Sequence, residues 1–195
     1  MTKVYLKRKI SQRIALGHPW IFNNEVEKIV GPVKAGDIVE VYYADEQFAG
    51  RGYINPASQI IVRLLTRKKE EINADFFLLK IKEAWTYRQK MGYTENCRLI
   101  FGEADGLPAL IIDKFNDYFV IQTLALGMDM WKPAIVDALN SVFHPKGIYE
   151  RNDVPVRELE GLTQIKDYLS EPFPTEIIIN ENGLQFYVNI ETGQK

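Results

Sequence analysis

Cysteine and histidine are scarce in this sequence. The 195 residues include one cysteine, Cys97, and two histidines, His18 and His144. A single cysteine cannot form an internal disulfide, and the isolated histidines lack the paired spacing of zinc ligands. We therefore expect no metal site, a structural role for Cys97 and a reducing, cytoplasmic location.

Long apolar runs are also missing. The run from Tyr118 to Leu126 is interrupted by Gln122 and Thr123, and it is far shorter than the roughly 20 apolar residues that span a bilayer. The N-terminal segment MTKVYLKRKI has neither the apolar stretch nor the small-residue cleavage site of a secretory signal. These absences predict no membrane-spanning segment and no membrane partner.

Nucleotide-binding glycine motifs are absent as well. Neither Gly-x-Gly-x-x-Gly nor Gly-x-x-x-x-Gly-Lys-Ser/Thr occurs, so phosphate binding by these routes is not expected. Glu103 and Asp105 could act as an acid–base pair, but Asp105 is better explained by its turn with Gly106. A free-standing enzyme that uses Glu103, Asp105 or Cys97 is the least favoured interpretation, because none of the three has an evident partner.

Charge is distributed unevenly along the chain. Residues 1–70 carry 12 Lys or Arg against 7 Asp or Glu, whereas residues 71–195 carry 12 against 19. Basic side chains neutralise phosphates in nucleic-acid binding, so the first third is the candidate for contact with a polyanion. A solvated surface with uneven charge is an equally good explanation of the charge alone.

The spacing of apolar residues predicts an α+β chain with three parts. Residues 1–70 contain short strands separated by turns, and closing them into a small β-barrel would remove exposed sheet edges. Residues 71–93 form a linker helix, from about Asp75 to Met91. Asn73 or Asp75 can cap it, and Phe77 and Ile81 belong to its apolar face.

Residues 94–195 then form a second α+β unit. It contains a three-strand meander, a helix from about Asp129 to Phe143, a strand at residues 147–151, and an irregular stretch from Asn152 to Thr175. A final hairpin follows, and its turn is the pair Asn182-Gly183, which is typical of a type I′ turn.

Several separated motifs give the sequence a resemblance to a known family. In the first 70 residues they are Gly17–Phe22, Gly50–Pro56, Gln59-Ile60 and Val62-Arg63; in the second unit they are Gly102–Pro108, Tyr149–Arg151 and Arg157–Leu162. Together they resemble, in the right order, the PUA domain and the central domain of bacterial methyltransferases that make 5-methylcytosine in large-subunit ribosomal RNA.

The resemblance implies a fold and a function. It implies an N-terminal PUA-like β-barrel, a central β-β-α-β-β domain and, beyond a motif that begins at Gly193, a Rossmann-type domain that binds S-adenosylmethionine and carries the nucleophilic cysteine. Because we expect that last domain to be absent from these residues, we expect no cofactor and no catalysis in this chain. The parent protein would be an S-adenosylmethionine-dependent enzyme that acts on ribosomal RNA.

Folded RNA is recognised through phosphates, 2′-hydroxyls and aromatic rings that stack on unpaired bases. The candidate RNA-binding residues of the first unit are Lys7, Arg8, Lys9, Arg13, His18, Trp20, Arg51, Tyr53 and Arg63. Two of them have structural alternatives. Trp20, together with Phe22, could instead plug the barrel, and His18 could serve only to make a tight turn.

The second unit adds two candidates and an alternative function. Arg151 and Arg157 flank the irregular stretch and could contact RNA, although ion pairs that order the loop are slightly favoured. Phe186, Val188 and Ile190 of the final hairpin could be left partly uncovered, which predicts self-association. The alternative to RNA binding is therefore a protein-interaction or dimerisation module, with a homodimer as the possible assembly.

Overall fold

The computed structural model describes residues 1–8 and 12–193. Its strands form three sheets of six, five and two strands. The predicted mixture of helices and strands is therefore confirmed. None of the described helices is long and apolar enough to cross a bilayer.

The first sheet comprises the strands of the N-terminal third. They are β1 (Lys3–Leu6), β2 (Trp20–Ile21), β3 (Val26–Val30), β4 (Ile38–Tyr42), β5 (Phe48–Ile54) and β6 (Val62–Thr66), with a one-turn helix, α1 (Gln12–Ala15), after β1. Their spatial order is β2-β6-β5-β4-β1-β3. All neighbours are antiparallel except β1 and β4, which are parallel.

This sheet wraps around a single core. Ile21 of β2, at one end of the strand order, is fully buried in the same cluster as Val4, Val39 and Val41, and Val26 of β3, at the other end, packs against it. Irregular register in three of the strand pairs supplies the bends that such curvature needs. Val39 and Val41 of β4 are both fully buried, as alternate residues on one face of a strand should be.

A long helix, α2 (Ala74–Lys90), connects the first sheet to the second. Asn73 caps it, because its side chain accepts a hydrogen bond from the backbone N–H of Phe76 at 3.0 Å. Phe77 and Ile81 are fully buried. The helix predicted from about Asp75 to Met91 therefore forms, shifted by one residue at each end.

The second sheet contains five strands and two helices. They are β7 (Asn96–Phe101), β8 (Leu110–Phe115), β9 (Tyr118–Thr123), α3 (Leu126–Met130), α4 (Lys132–Phe143), β10 (Gly147–Asn152) and β11 (Ile165–Tyr168). The spatial order is β11-β10-β9-β8-β7, with β9 and β10 parallel. The meander β7-β8-β9 is antiparallel, as predicted. Three strands precede the helices, one more than in the β-β-α-β-β order that the resemblance implies.

Three local predictions for this region are wrong. The helix expected from about Asp129 is divided at Trp131, because Pro133 lies in the first turn of α4 and cannot continue a helix from α3. The stretch after Asn152 contains a 3₁₀ helix (Pro155–Glu160) and β11, whose exposed residues show no apolar alternation. The Asp105-Gly106 pair ends a 3₁₀ helix (Gly102–Asp105) instead of forming a two-residue hairpin turn.

The third sheet is the predicted C-terminal hairpin. It pairs β12 (Glu176–Glu181) with β13 (Leu184–Asn189). Asn182 and Gly183 at its turn have φ angles of 52° and 80°, as a type I′ turn requires. Ile177 and Ile179 pack in a small cluster against the second sheet.

Buried polar contacts join the first and second sheets. Glu160 accepts hydrogen bonds from Ser58 Oγ at 2.6 Å, Arg63 Nη2 at 2.9 Å and Asn55 Nδ2 at 3.0 Å. All four residues are at least nine-tenths buried. Nearby, the hydroxyl of Tyr53 donates to the carbonyl of Pro108 at 2.9 Å. These contacts, which we call the inter-sheet joint, fix one sheet against the other.

Candidate nucleic-acid interface

Three of the residues predicted from the sequence come together beside α1. Arg13 Nη1 donates to the carbonyl oxygen of Trp20 at 2.8 Å and lies 3.2 Å from His18 Nδ1, while Nη2 forms a 2.6 Å ion pair with Glu25 Oε2. The guanidinium also lies over the ring of Phe22, 4.7 Å from its centroid. We call Arg13, His18, Trp20, Phe22 and Glu25 the α1 cluster.

The geometry of His18 assigns its tautomer. The backbone N–H of Trp20 donates to His18 Nδ1 at 3.2 Å, so Nδ1 is an acceptor and the proton of the neutral ring is on Nε2. The imidazole also packs edge-to-face on the indole of Trp20, with centroids 5.2 Å apart. His18 is thus part of a turn, as one alternative held, and it also contacts both neighbouring side chains of the cluster.

Trp20 does not plug the first sheet. It lies outside the buried core of that sheet and is half-buried. Its indole Nε1 donates to Glu103 Oε1 at 2.7 Å. The ring therefore lies at the surface, where the first sheet meets the 3₁₀ helix Gly102–Asp105.

Sequence reasoning missed Arg67, which holds α1 in place. Its guanidinium donates to the carbonyl oxygens of Ile14 at 2.9 Å, His18 at 3.0 Å and Ala49 at 3.0 Å. Because all three acceptors are backbone atoms distant in the sequence, no residue pattern could have revealed the role. The contacts fix the turn from which Arg13 and His18 project.

Open clefts lie on two sides of α1. One, of about 720 Å³, is lined by Arg13, Phe22, Glu25 and residues 56–59. The other, of about 630 Å³, is lined by Lys7, Arg8 and residues 43–45. Both of these cations are exposed. Lys9, the remaining basic residue predicted here, lies outside the described residues.

Arg51 is engaged in a local ion pair. Its Nη2 lies 2.7 Å from Glu40 Oε1, and Nη1 donates to the carbonyl oxygen of Glu70 at 2.5 Å. Burial tends to raise the pKa of Glu40, but hydrogen bonds from Arg51 and from the hydroxyl of Tyr42 outweigh it and lower the pKa. Arg51 thus connects β4 and β5 to the loop that follows β6.

Four predicted contact residues are corrected by their burial. Tyr53 is 1% exposed, so its ring offers no face to a base, and burial raises its pKa. Arg63 is paired with Glu160 in the inter-sheet joint. Arg157, 2% exposed, forms a 2.9 Å ion pair with Asp129 and donates to the carbonyl oxygen of Thr123. Arg151 is also buried, and its Nη1 donates to the carbonyl oxygen of Gly193 at 2.6 Å.

The ion pair between Arg157 and Asp129 agrees with the alternative in which ion pairs order the irregular stretch. Burial tends to raise the pKa of Asp129, but hydrogen bonds from Thr123 and Arg157 and the charge of Lys132 lower it. Asp105 likewise does more than occupy a turn, because it pairs with Arg88 at 2.6 Å and accepts from the backbone N–H of Phe101 at 2.6 Å. The motifs that contain Arg157 and Asp105 therefore stabilise the fold.

The described residues do not fit an adenosyl group at the usual place. Open α/β sheets bind nucleotides beyond the carboxyl ends of parallel strands, which here are the ends of β9 and β10. That position is filled by Arg157, bonded to Thr123 and Asp129, and by Asn152, whose amide donates to Glu150 at 2.7 Å. Among residues 1–8 and 12–193, no group of three or more His, Cys, Asp or Glu could hold a metal ion.

Comparison with known proteins gives a family match within the first sheet and relatives along the whole chain. Residues 4–67 match the family model of the PUA-like domain. Over 197 aligned residues, 98% of this chain, the sequence is 38% identical to ribosomal RNA large subunit methyltransferase I of Aliivibrio fischeri, and the match covers 50% of that protein. The protein of the same name from Pseudoalteromonas atlantica is 41% identical over 183 residues, which are 91% of this chain and 46% of that protein.

Two solved structures share the fold. A protein from Streptococcus mutans described as a candidate SAM-dependent methyltransferase superposes with a TM-score of 0.77 at 18% identity, covering 99% of this chain and 50% of its own. A candidate methyltransferase solved in complex with SAH superposes with a TM-score of 0.79 at 18% identity, covering 100% of this chain and 49% of its own. The chain thus spans about half the length of the curated relatives it matches, and along nearly its whole length it is similar to ribosomal RNA large subunit methyltransferases.

Proposed function

We propose that this chain is the RNA-binding part of a ribosomal RNA large subunit methyltransferase and that RNA lies along the α1 cluster and its two clefts. The observation that carries the proposal is the 38% identity over 98% of the chain to a protein named for that activity. The PUA-like match over residues 4–67 coincides with the sheet that carries the α1 cluster. We further propose that residues 1–70 form a PUA-like unit, residues 71–93 a linker helix and residues 94–195 a central unit.

The chemistry of the α1 surface suits structured RNA. Lys7 and Arg8 are exposed cations that can neutralise phosphates. The guanidinium of Arg13 is held by Glu25 and the carbonyl of Trp20, so little side-chain entropy is lost when it binds. The half-buried rings of His18 and Trp20 can stack on an unpaired base.

The methylation itself belongs to other residues in this proposal. The carboxyl ends of β9 and β10 are filled by side chains, and Cys97 is half-buried, with a pKa that burial raises. A thiol with a raised pKa is a poor nucleophile at neutral pH. We therefore propose that S-adenosylmethionine binds outside these 195 residues. Because the sequence motifs resemble those of 5-methylcytosine methyltransferases, we also propose that the whole cytoplasmic protein methylates cytosine at carbon 5. Mapping 5-methylcytosine in large-subunit ribosomal RNA, with and without the gene, tests that part.

The double substitution Lys7→Ala with Arg8→Ala should weaken binding to large-subunit ribosomal RNA fragments by about tenfold at 0.15 M salt. Each lost phosphate contact should also reduce the slope of log K against log salt concentration by about 1. Filter binding across a salt series measures both quantities.

The matched control is Lys82→Ala with Lys166→Ala. These two exposed cations lie on α2 and β11, away from the α1 cluster, so their loss should leave the affinity within twofold. Equal weakening by both pairs would show only a general charge effect. Binding that does not depend on salt would overturn the proposal.

A second candidate function is self-association through the C-terminal hairpin. Leu184 is 63% exposed, Tyr187 67% and Phe186 45%, an apolar group that is unusual on a solvated surface. Val188 is half-buried, and Ile190 is 2% exposed, so the expectation of an uncovered Ile190 is corrected. A homodimer through this hairpin is the corresponding proposal.

If the hairpin mediates a homodimer, Leu184→Asp should convert it to the monomer at micromolar concentrations, because a buried aspartate lacks a partner there. Sedimentation equilibrium gives the mass. Leu159→Asp is the matched control, since Leu159 is 75% exposed in a different element. A monomeric parent chain, or a dimer that survives Leu184→Asp, removes this candidate.

A further inference from the structure

A third cleft lies on the second sheet. Its volume is about 630 Å³, and its floor and walls come from the C-terminal end of α2, from β7 and β8, and from the edge of β12. The side chains that concern the argument are Tyr87, Arg88, Met91, Tyr93, Arg98 and Phe101. We call this the aromatic cleft.

Large flat side chains are unusually exposed in the aromatic cleft. Phe101 is 56% exposed, Tyr87 56% and Tyr93 48%, beside Met91 at 60%. Scattered exposed apolar residues are ordinary, but several that line one concave surface mark a binding site.

Two arginines of the cleft have their guanidinium groups over these rings. Arg98 lies over the ring of Phe101, 5.4 Å from its centroid, and forms a two-pronged pair with Asp113 at 2.8 and 3.0 Å. Arg88 lies over the ring of Tyr87 at 5.3 Å and pairs with Asp105 at 2.6 Å. The side chain of Arg98 is 40% exposed and its charge is matched by Asp113, so its guanidinium offers a stacking surface without net attraction for phosphate. The side chain of Arg88 is only 12% exposed and supports the wall of the cleft.

The 3₁₀ helix Gly102–Asp105 lies between the aromatic cleft and the α1 cluster. Phe101 immediately precedes the 3₁₀ helix Gly102–Asp105. At one end of that helix Glu103 accepts from the indole of Trp20, and at the other Asp105 binds Arg88 and the backbone N–H of Phe101. One strand that contacts Trp20 can therefore extend over the helix and reach the aromatic cleft.

We propose that the aromatic cleft binds unpaired bases of the RNA strand whose phosphates contact the α1 cluster. This site rests on the proposed function and extends it, because it adds a second RNA contact in which side chains stack on bases instead of binding phosphates. Unpaired bases stack on exposed rings and guanidinium planes. The affinity contributed by the aromatic cleft should then depend less on salt concentration than the affinity contributed by the α1 cluster.

The test uses fluorescence anisotropy with a labelled single-stranded oligonucleotide from large-subunit ribosomal RNA. Phe101→Ala and Tyr93→Ala should each weaken binding about tenfold without changing the slope of log K against log salt concentration. Tyr93→Phe, which keeps the ring, should bind like the parent. Leu79→Ala, at a residue 53% exposed on α2, is the control for loss of exposed apolar surface.

An oligonucleotide with abasic sites separates stacking from other effects. It should bind the parent chain more weakly than the intact oligonucleotide does, and Phe101→Ala should weaken its binding little further. Because Phe101 and Tyr93 are exposed, the thermal midpoints of the variants should match that of the parent.

The outcomes distinguish this inference from the proposed function. If the parent chain binds no RNA, the proposed function fails. If Lys7→Ala with Arg8→Ala weakens binding but Phe101→Ala and Tyr93→Ala do not, only the aromatic cleft is refuted as an RNA site. If the aromatic variants instead change the mass of the chain in light scattering, the cleft is a protein contact and the inference is overturned.

Discussion

Replacing Glu160 with alanine should lower the free energy of unfolding by about 3–5 kcal/mol, the usual cost of removing one partner of a buried ion pair. The side chain is 3% exposed and the partnering Arg63 side chain 9%. Without the carboxylate, the Arg63 guanidinium keeps its charge in a buried site and Ser58 loses its acceptor. Asn55 keeps only the backbone carbonyl oxygen of residue 160 as an acceptor. Urea denaturation followed by circular dichroism measures the loss.

The matched control is Glu158→Ala. Glu158 lies in the same 3₁₀ helix but is exposed, and it accepts only from Gln164 among the described side chains, at 2.6 Å. Its loss should change stability by less than about 0.5 kcal/mol. Equal effects of the two substitutions would mean that the inter-sheet joint does not depend on the buried pair.

The same joint makes stability depend on pH. Burial tends to raise the pKa of Glu160, but the Ser58 hydroxyl, the Arg63 charge and the Asn55 amide together lower it below its ordinary value. A lowered folded-state pKa stabilises the fold above the unfolded pKa of about 4.3, and this contribution is lost as the pH falls through the folded pKa. Between neutral pH and pH 3, the thermal midpoint should therefore fall less steeply for Glu160→Gln than for the parent chain. Melting curves recorded across this pH range give the midpoints.

Gly127→Ala should destabilise the protein by about 2–3 kcal/mol, although alanine ordinarily stabilises a helix relative to glycine by about 1 kcal/mol. A Cβ at Gly127 of α3 would lie 2.3 Å from Tyr53 Cγ and 2.6 Å from Tyr53 Cβ. Tyr53 cannot move away easily, because it is buried and its hydroxyl is bonded to Pro108. Thermal denaturation gives the change in midpoint.

A double-mutant cycle identifies the cause of that loss. In a Tyr53→Ala background the clash is gone, so the added Gly127→Ala substitution should be neutral or stabilising. If the cost of Gly127→Ala is the same in both backgrounds, the close packing of α3 on the first sheet is not its source.

Local patterns predicted much of the fold. The Asn73 cap, the apolar face of α2, the meander and the Asn182-Gly183 turn each depend on residues close in sequence, and the structure confirms them. The break at Trp131 was missed because Pro133 was assigned to the first turn of one helix without asking what preceded it. Strand β11 was missed because its pairing with β10 is made by the backbone of exposed residues.

The candidate site was only half predictable. Basic clustering drew attention to Lys7, Arg8 and Arg13, because charge near the chain start is visible in the sequence, and the structure leaves Lys7 and Arg8 exposed. Sequence cannot distinguish an arginine that faces solvent from one that faces a distant carboxylate. Arg63 and Arg157 were assigned to RNA for that reason, whereas their partners Glu160 and Asp129 lie 97 and 28 residues away. Arg67 was missed because it binds backbone carbonyls.

Ultraviolet cross-linking followed by peptide mass spectrometry can show whether RNA lies along the α1 cluster. A complex of the chain with a large-subunit ribosomal RNA fragment should cross-link mainly through peptides that contain Lys7, Arg8, His18 or Trp20. Cross-links confined to peptides from the helix faces of α2 and α4, or none at concentrations where the RNA is bound, would contradict the account.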